Sequence, residues 1–334
     1  MAFRITVANQ IHRPILDDLE KCGHVTANTR PEPWSPDELT ARTAAADALM
    51  VFMTEKVDGA LLAACPNLKI IAGALKGYNN IDVEACSKRN IIVTIVPDLL
   101  TDPTAELTIG LMISVARNFL PGDRHIRGGA FEGWRPAFYG GSIQRSTVAV
   151  LGAGAVGKAI LRMLNGFDCR RLYVDKTPID PEVERALGAE RCDLKTAQTS
   201  ADFIVLAMHL MPETLHMIDG AFLAGMKPGG FLINPARGSL VDEDAVVRAL
   251  ESGQLAGYGA DTFEMEDWTV DERPKRIHAG LLQSDRTVLT PHIGSAVRKV
   301  REEIERSAAE SIIAVSRGTI PDTAVNRHRL ALAG

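Results

Sequence analysis

The stretch Thr147–Gly157 reads TVAVLGAGAVG, and it decides the fold. Its first five residues are mostly apolar and rich in β-branched side chains, a pattern typical of a buried strand. Glycines follow at 152, 154 and 157. In such a turn the first glycine permits a tight bend, the second lets the backbone approach a pyrophosphate, and the third lets the next helix pack closely. The stretch therefore predicts a dinucleotide-binding βαβ unit.

Dinucleotide-binding units have an acidic residue at the end of their second strand, and this chain has one at that position. The next predicted strand ends at Asp175, whose carboxylate suits the ribose hydroxyls of the adenosine half and repels a 2′-phosphate. We therefore expect NAD as the cofactor, with some NADP use through the neighbouring Lys176. The alternative is a structural glycine-rich turn beside a capping aspartate.

Short strands alternate with helical patterns on both sides of this stretch. We predict five strands before it and five after it: 3–8, 24–26, 48–52, 69–72 and 91–95, then 171–174, 203–207, 230–234, 257–260 and 287–289. Strands joined by crossover helices predict parallel, doubly wound sheets, here in two α/β lobes. A helix opens at Thr101 and is apolar on nearly every side from Leu107 to Phe119, which predicts burial on both faces. Such a helix is either a core helix or part of a domain or subunit junction.

Composition excludes several classes of protein. The chain has 334 residues, a formal net charge of −5 and five scattered cysteines without CxxC spacing. We therefore expect no nucleic-acid partner, no metal site and no disulfide framework. No long apolar stretch follows a basic start, so we expect no signal peptide and no membrane span, and a cytoplasmic location.

A second group of candidate residues is dispersed along the chain. Lys76 lies in ALKGYNNID, Arg237 in NPARGSLVDE and His292 in TPHIGS. Arg237 and His292 follow predicted strands, where parallel sheets place ligands. A guanidinium binds oxyanions, and histidine suits general-base work near neutral pH. Glu266 is placed to fix the histidine tautomer, with Glu264 as the competing carboxylate. Taken singly, Arg237 is equally explained as a structural ion pair and His292 as a helix cap.

The ordered motifs GxGxxG, NPARG, DTFEMED and PHIGS resemble the D-2-hydroxyacid dehydrogenase family over essentially the whole chain. The resemblance implies catalytic roles for Arg237, Glu266 and His292. It also implies a flavodoxin-like substrate domain of residues 1–98 and 296–334 interrupted by a Rossmann NAD domain of residues 99–295, a cleft between them, and a homodimer. The cofactor contacts that it implies are Gly152, Gly154, Ala155, Val156, Gly157, Asp175, Thr104, Ala207, Pro235, Asp261 and Lys76.

Other segments narrow the resemblance to the branch of that family that oxidises phosphite to phosphate. These are ALKGYNNID, VPDLLTDPTAEL, residues 133–141, FEMEDW and TPHIGSAVRKVREEIE. In that case Lys76 and Arg237 would hold the small anion, with Met53 and Arg301 lining its pocket, and His292 would deprotonate water or orient the substrate. Asn79 and His209 depart from the family pattern.

Two alternatives stay open. One is a 2-hydroxyacid dehydrogenase that reduces 2-ketoacids such as glyoxylate or hydroxypyruvate with the same three residues. The other is a non-catalytic scaffold that senses NAD.

Overall fold

The structure, a computed structural model, describes residues 2–268, 270 and 272–330. It divides into two compact units. Unit 1 comprises the residues up to Leu100 and those from Ala296 onward, and unit 2 is Thr101–Ser295. Each unit is built on a parallel sheet whose strands are buried between helices.

Unit 1 has five parallel strands in the order β2-β1-β3-β4-β5. The strands are β1 (Phe3–Val7), β2 (Gly23–Ala27), β3 (Ala48–Val51), β4 (Ile70–Gly73) and β5 (Ile92–Thr94). Its first helices are α1 (Arg13–Glu20), α2 (Pro36–Thr43), α3 (Gly59–Ala64) and α4 (Val83–Lys88). Three of these helices begin at residues whose side chains accept backbone N–H bonds of the first turn: Ser35, Asp58 and Asp82.

Unit 2 has seven parallel strands in the order β12-β11-β10-β9-β6-β7-β8. The strands are β6 (Thr147–Leu151), β7 (Arg170–Val174), β8 (Ala189–Arg191), β9 (Phe203–Leu206), β10 (Gly230–Asn234), β11 (Leu255–Ala260) and β12 (Thr287–Leu289). The helices are α5 (Thr101–Ala116), α6 (Phe119–Arg127), α7 (Ala155–Met163), α8 (Pro181–Leu187), α9 (Leu194–Ser200), α10 (Gly220–Ala224), α11 (Glu243–Ser252) and α12 (Ala279–Gln283). The chain then returns to unit 1 through α13 (Arg298–Ser316).

The prediction of a parallel α/β fold with two sheets is confirmed. Strand β6 lies between β7 and β9, so consecutive strands leave it in opposite directions across the sheet. Open parallel sheets bind ligands at such a switch point, outside the carboxyl ends of the strands. The glycine-rich turn after β6 stands at that point. The short edge strand β8 escaped the sequence prediction because its residues, Ala-Glu-Arg, lack a strand pattern.

The prediction of one continuous helix from Thr101 to Phe119 is wrong. Helix α5 ends at Ala116, and Asn118 takes a left-handed conformation (φ 53°) from which α6 starts. Phe119 is 53% exposed and belongs to α6, and Gly110 lies on an exposed side of α5 within this chain.

By length and composition alone the stretch Asp98–Ala116 is apolar enough to cross a membrane. Core helices of globular domains pass the same test. Within unit 2, α5 packs against β10, β11 and α7, so the structure uses it as a core helix.

Candidate functional site

The glycine-rich turn after β6 is shaped by close contacts. Gly152 has φ +101°, and a Cβ there would lie 2.4 Å from the carbonyl oxygen of Ala207. A Cβ on Gly157 would lie 2.0 Å from the carbonyl oxygen of Gly152. A Cβ on Gly154, by contrast, would meet nothing within 4 Å. The outer two glycines are therefore required by the protein itself, and the middle one borders open space at the start of α7.

Asp175 joins this turn from the end of β7. Its Oδ2 accepts the N–H of Ala153 at 2.7 Å, and its Oδ1 accepts the N–H of Thr177 at 2.9 Å. The neighbouring Lys176 is 84% exposed, and its Nζ lies 3.4 Å from Glu213 Oε1. Open space over the turn, a helix N-terminus and an anchored carboxylate fit the pyrophosphate and ribose of a dinucleotide. When bound, NAD would supply the hydride chemistry of the site.

A histidine and a glutamate form the central pair of unit 2. His292 Nδ1 lies 2.6 Å from Glu266 Oε2, and the two side chains are 24% and 32% exposed. Glu266 Oε1 also accepts the N–H of Phe263 at 2.9 Å. Because Nδ1 bonds the carboxylate, Nε2 is the ring nitrogen left for proton exchange with a substrate.

The competing carboxylate has another use. Glu264 Oε1 accepts the N–H of Glu243 at 2.9 Å, and the N–H of Glu264 donates to Glu243 Oε1 at 3.1 Å. His216 Nε2 lies 3.4 Å from the same Glu264 oxygen. Glu264 therefore braces its own turn, while Glu266 reaches His292.

Asp261 holds the segment that carries His292. Its Oδ1 accepts the Thr290 hydroxyl at 2.6 Å and the Ile293 N–H at 2.8 Å, while its Oδ2 accepts the Gly294 N–H at 2.8 Å. Burial raises the pKa of this carboxyl, and the three hydrogen bonds act in the opposite direction. The family resemblance implies a contact of Asp261 with the nicotinamide; in the structure its side chain orders the histidine loop.

Arg237 follows β10 in a turn closed by Asn234. Asn234 Nδ2 donates to the Arg237 carbonyl oxygen at 2.8 Å, and its Oδ1 accepts the Ala236 N–H at 3.1 Å. Burial lowers the pKa of the Arg237 guanidinium, and the carboxylates of Asp267 and Glu266 raise it. Arg237 and the His292–Glu266 pair therefore belong to one electrostatic group, which can bind an anion and exchange a proton.

Sequence reasoning missed Asp267. It is 1% exposed, and its Oδ2 accepts the N–H of Ser239 at 2.7 Å, which ties the acidic turn to the Arg237 loop. Burial raises its pKa. The only signal in the sequence was the doubled acid, Glu266-Asp267, which by itself reads as a solvated turn.

The other expected cofactor contacts of unit 2 lie either at the glycine-rich turn or beside the loops that carry Arg237 and His292. Pro235 is buried in the Arg237 turn, and Ala207 closes over Gly152. Thr104 on α5 is close to the histidine loop, since a Cβ on Gly294 would lie 3.1 Å from its hydroxyl. Ala155 and Val156 form the first turn of α7.

Lys76, Met53 and Arg301 belong to unit 1. Lys76 follows β4 and forms an ion pair with Asp98, with its side chain 39% exposed. Met53 is half-buried two residues after β3. The guanidinium of Arg301, on α13, lies 5.7 Å from the ring centroid of Phe52, and burial lowers its pKa. Among the described residues, no group of three or more His, Cys, Asp or Glu side chains is arranged to hold a metal ion.

Comparison with known proteins identifies the family. Residues 109–294 match the family model "D-isomer specific 2-hydroxyacid dehydrogenase, NAD binding domain". A glyoxylate reductase of Pyrococcus horikoshii is 41% identical over 84% of this chain and 83% of its own. A solved structure from Thermus thermophilus is 32% identical, with a TM-score of 0.87 over 97% of this chain and 100% of that one. An NADPH-dependent glyoxylate/hydroxypyruvate reductase from Sinorhizobium meliloti is 28% identical, with a TM-score of 0.79 over 96% of each chain.

Unit 2 carries the glycine-rich turn, and the family model and the relatives assign the chain to the same family. The chain belongs to the D-isomer specific 2-hydroxyacid dehydrogenase family of NAD-dependent oxidoreductases.

Proposed function

We propose that the enzyme reduces glyoxylate, or a related small 2-ketoacid, with NADH, and oxidises the corresponding 2-hydroxyacid in the reverse direction. The observation that carries this proposal is the His292–Glu266 pair grouped with Arg237 in the NAD-binding unit. The relatives named glyoxylate reductase support the substrate class. The sequence alone favours phosphite oxidation and leaves this activity as an alternative. The comparisons favour 2-ketoacid reduction over phosphite oxidation.

Arg237, His292 and Glu266 have separate roles in this reaction. Arg237 binds the substrate carboxylate through its guanidinium. As hydride reaches the carbonyl carbon, negative charge develops on the carbonyl oxygen, and His292 Nε2 gives that oxygen a proton. Glu266 stabilises the imidazolium that provides this proton and fixes the ring orientation. Oxidation of the hydroxyacid uses the same groups in reverse, with His292 as the base.

Phosphite oxidation is a second candidate, favoured by the cations of unit 1. Phosphite offers three oxygens on phosphorus and no carbon chain, so additional cations suit it. Lys76 and Arg301 supply two such charges, and the segments around both resemble the phosphite branch. In this reaction a water oxygen bonds to phosphorus, the P–H hydrogen leaves as hydride to NAD, and His292 takes the proton from the water.

A direct comparison of substrates distinguishes the candidates. The purified enzyme is given NADH with glyoxylate or hydroxypyruvate, and NAD with phosphite, and NADH absorbance is followed. We expect kcat/KM for glyoxylate or hydroxypyruvate to exceed that for phosphite. The reverse order would replace our first proposal with the second. NAD binding without turnover of any of the three would instead support the NAD-sensing scaffold.

We also propose a cytoplasmic homodimer. Large apolar side chains are exposed along α6 and the following loop, including Phe131, Trp134 (81%) and Tyr139 (80%). Large apolar side chains left exposed in one stretch of the chain support an association surface there. The five cysteines are scattered and lack CxxC spacing, which favours a reducing compartment. Light scattering of the purified protein measures its mass and tests the dimer.

A further inference from the structure

A buried carboxylate lies in the loop after β3 of unit 1. Glu55 is 5% exposed, and its Oε2 accepts the N–H of Phe52 at 2.6 Å. Its Oε1 accepts the amide of Asn9 at 2.6 Å and the hydroxyl of Thr54 at 2.5 Å. Burial raises the pKa of Glu55 because, among the described residues, no cation is bonded to the carboxylate. The hydrogen bonds from the three neutral donors lower the pKa and partly oppose the effect of burial. The carboxylate thus organises the loop that carries Met53.

Asn80 connects this loop to the one after β4. It is 5% exposed, and its Nδ2 donates to the carbonyl oxygens of Phe52 at 2.8 Å and Glu55 at 2.6 Å. Its own carbonyl oxygen accepts the Val57 N–H at 2.9 Å, and the Asp82 N–H donates to the Val57 carbonyl oxygen at 2.8 Å. Since buried polar groups are costly to leave unpaired, these bonds fasten the two loops into one body.

The two loops carry the candidate substrate residues of unit 1. The first holds Met53 and Phe52, the ring over which Arg301 lies, and the second holds Lys76. Both loops leave the carboxyl ends of adjacent parallel strands, β3 and β4, the edge at which such sheets bind ligands. The buried bonds therefore lie in the same two loops as the residues expected to meet an anion.

We propose that Glu55 and Asn80 are positioning residues for substrate. They fix the loops 52–57 and 74–82 so that Met53, Lys76 and the Phe52–Arg301 pair keep one arrangement. The inference rests on the proposed function for its substrate and goes beyond it in assigning these two residues. Because the two loops carry the candidate substrate residues and the glycine-rich cofactor turn lies in unit 2, their loss should weaken substrate binding more than cofactor binding.

Four variants test this proposal: Glu55→Ala, Asn80→Ala, Glu55→Gln and the control Asn326→Ala. Glutamine keeps an oxygen for the Phe52 N–H, and its amide can donate to Thr54, while Asn9 can turn its own oxygen toward it. Asn326 is also fully buried in unit 1, where it bonds Val93, Ser87 and Ile91 at the amino end of β5, away from the two loops.

The readouts are KM and kcat for glyoxylate and phosphite, the Kd of NADH, and the thermal midpoint. We expect Glu55→Ala and Asn80→Ala to raise substrate KM by about tenfold, on the scale of a lost buried hydrogen bond. Glu55→Gln should restore most of the affinity, and Asn326→Ala should lower the thermal midpoint without changing KM. An unchanged KM in both alanine variants, or an equal rise in Asn326→Ala, would overturn the proposal.

The failure of the proposed function would look different. In that event the wild-type enzyme turns over neither substrate, and amide hydrogen exchange takes the place of KM. Faster exchange in both loops of Glu55→Ala, restored in Glu55→Gln, would still support the positioning role. Unchanged exchange in both loops would overturn it.

Discussion

His292 holds a backbone conformation that few non-glycine residues adopt. Its φ is 54°, and the loop is fixed by its own N–H bonding the Asp261 carbonyl oxygen at 2.9 Å and by the Asp261 side chain. Unfavourable backbone conformations persist where surrounding bonds over-determine them, and they cluster at active sites. The loop conformation and the bond from Nδ1 to Glu266 together fix the orientation of the ring and leave Nε2 for proton exchange.

Arg237 can be tested without removing its charge. We expect Arg237→Lys to raise the KM for glyoxylate about tenfold or more, because an ammonium cannot donate two parallel hydrogen bonds to one carboxylate. Steady-state kinetics measures this, with NADH affinity determined by fluorescence titration as the control. A KM equal to that of the wild type would mean that the guanidinium does not bind substrate.

Single residues can be predicted from sequence where position and chemistry coincide. Arg237 and His292 follow strands, and Glu266 follows from the resemblance, so all three can be named without knowledge of their contacts. Asp267, Glu55 and Asn80 cannot, because a sequence does not show which acidic or amide side chains are buried or what they bond. Their roles come from tertiary contacts alone.

At the scale of elements, the strand–turn–helix unit Thr147–Met163 was the most predictable part of the chain. Its strand is buried on both sides, and each of its glycines is explained by the space around it: Gly152 and Gly157 by close backbone contacts and Gly154 by open space. The end of α5 was less predictable, because an apolar pattern does not reveal that Asn118 will leave the helical conformation. The break is a change of backbone conformation at one residue, and apolar periodicity does not report it.

The glycine-rich turn gives a matched pair of substitutions. Gly154 has an ordinary negative φ (−69°) and open space around it, so Gly154→Ala should keep the thermal midpoint of the wild type. Its methyl group would occupy the approach of the pyrophosphate, and we expect the Kd of NADH to rise about tenfold or more. Calorimetric titration measures the affinity.

Gly157→Ala is the counterpart of that substitution. Its Cβ would overlap the Gly152 carbonyl oxygen, so it should lower the thermal midpoint of the protein itself. A loss of stability in Gly154→Ala, or wild-type affinity for NADH in that variant, would contradict this division of roles.

At the scale of the whole molecule, net charge proved a poor guide to the substrate. The chain carries −5 overall, yet both proposed substrates are anions. What matters is the local distribution of charge. Lys76 in unit 1 forms an ion pair with Asp98, and nearby carboxylates raise the pKa of Arg237 in unit 2 and of Arg301 in unit 1 against the effect of burial. The fold class and the cofactor could be predicted from sequence, whereas the substrate depends on groups whose spacing a sequence does not give.

The free energy of unfolding should depend on pH through buried carboxylates. Burial raises the pKa of Glu243, so between the ordinary glutamate value of about 4.3 and the raised value the folded state binds more protons than the unfolded state. Rising pH therefore removes stability across that window. In Glu243→Gln this loss is absent, and the stability of the variant relative to the wild type should increase as pH rises.

Urea unfolding at a series of pH values measures this difference. Glu251→Gln, which changes an exposed residue of the same helix, is the matched control. A difference between Glu243→Gln and the wild type that stays constant or shrinks with rising pH would show that burial does not penalise the Glu243 carboxylate.

The central claim is that His292, oriented by Glu266, exchanges the proton in NAD-dependent hydride transfer. The most direct test is the kcat of His292→Asn with glyoxylate and NADH, because asparagine tolerates the left-handed backbone of this position. We predict a loss of about 10²–10⁴-fold with the Kd of NADH unchanged. A kcat near that of the wild type would contradict the account.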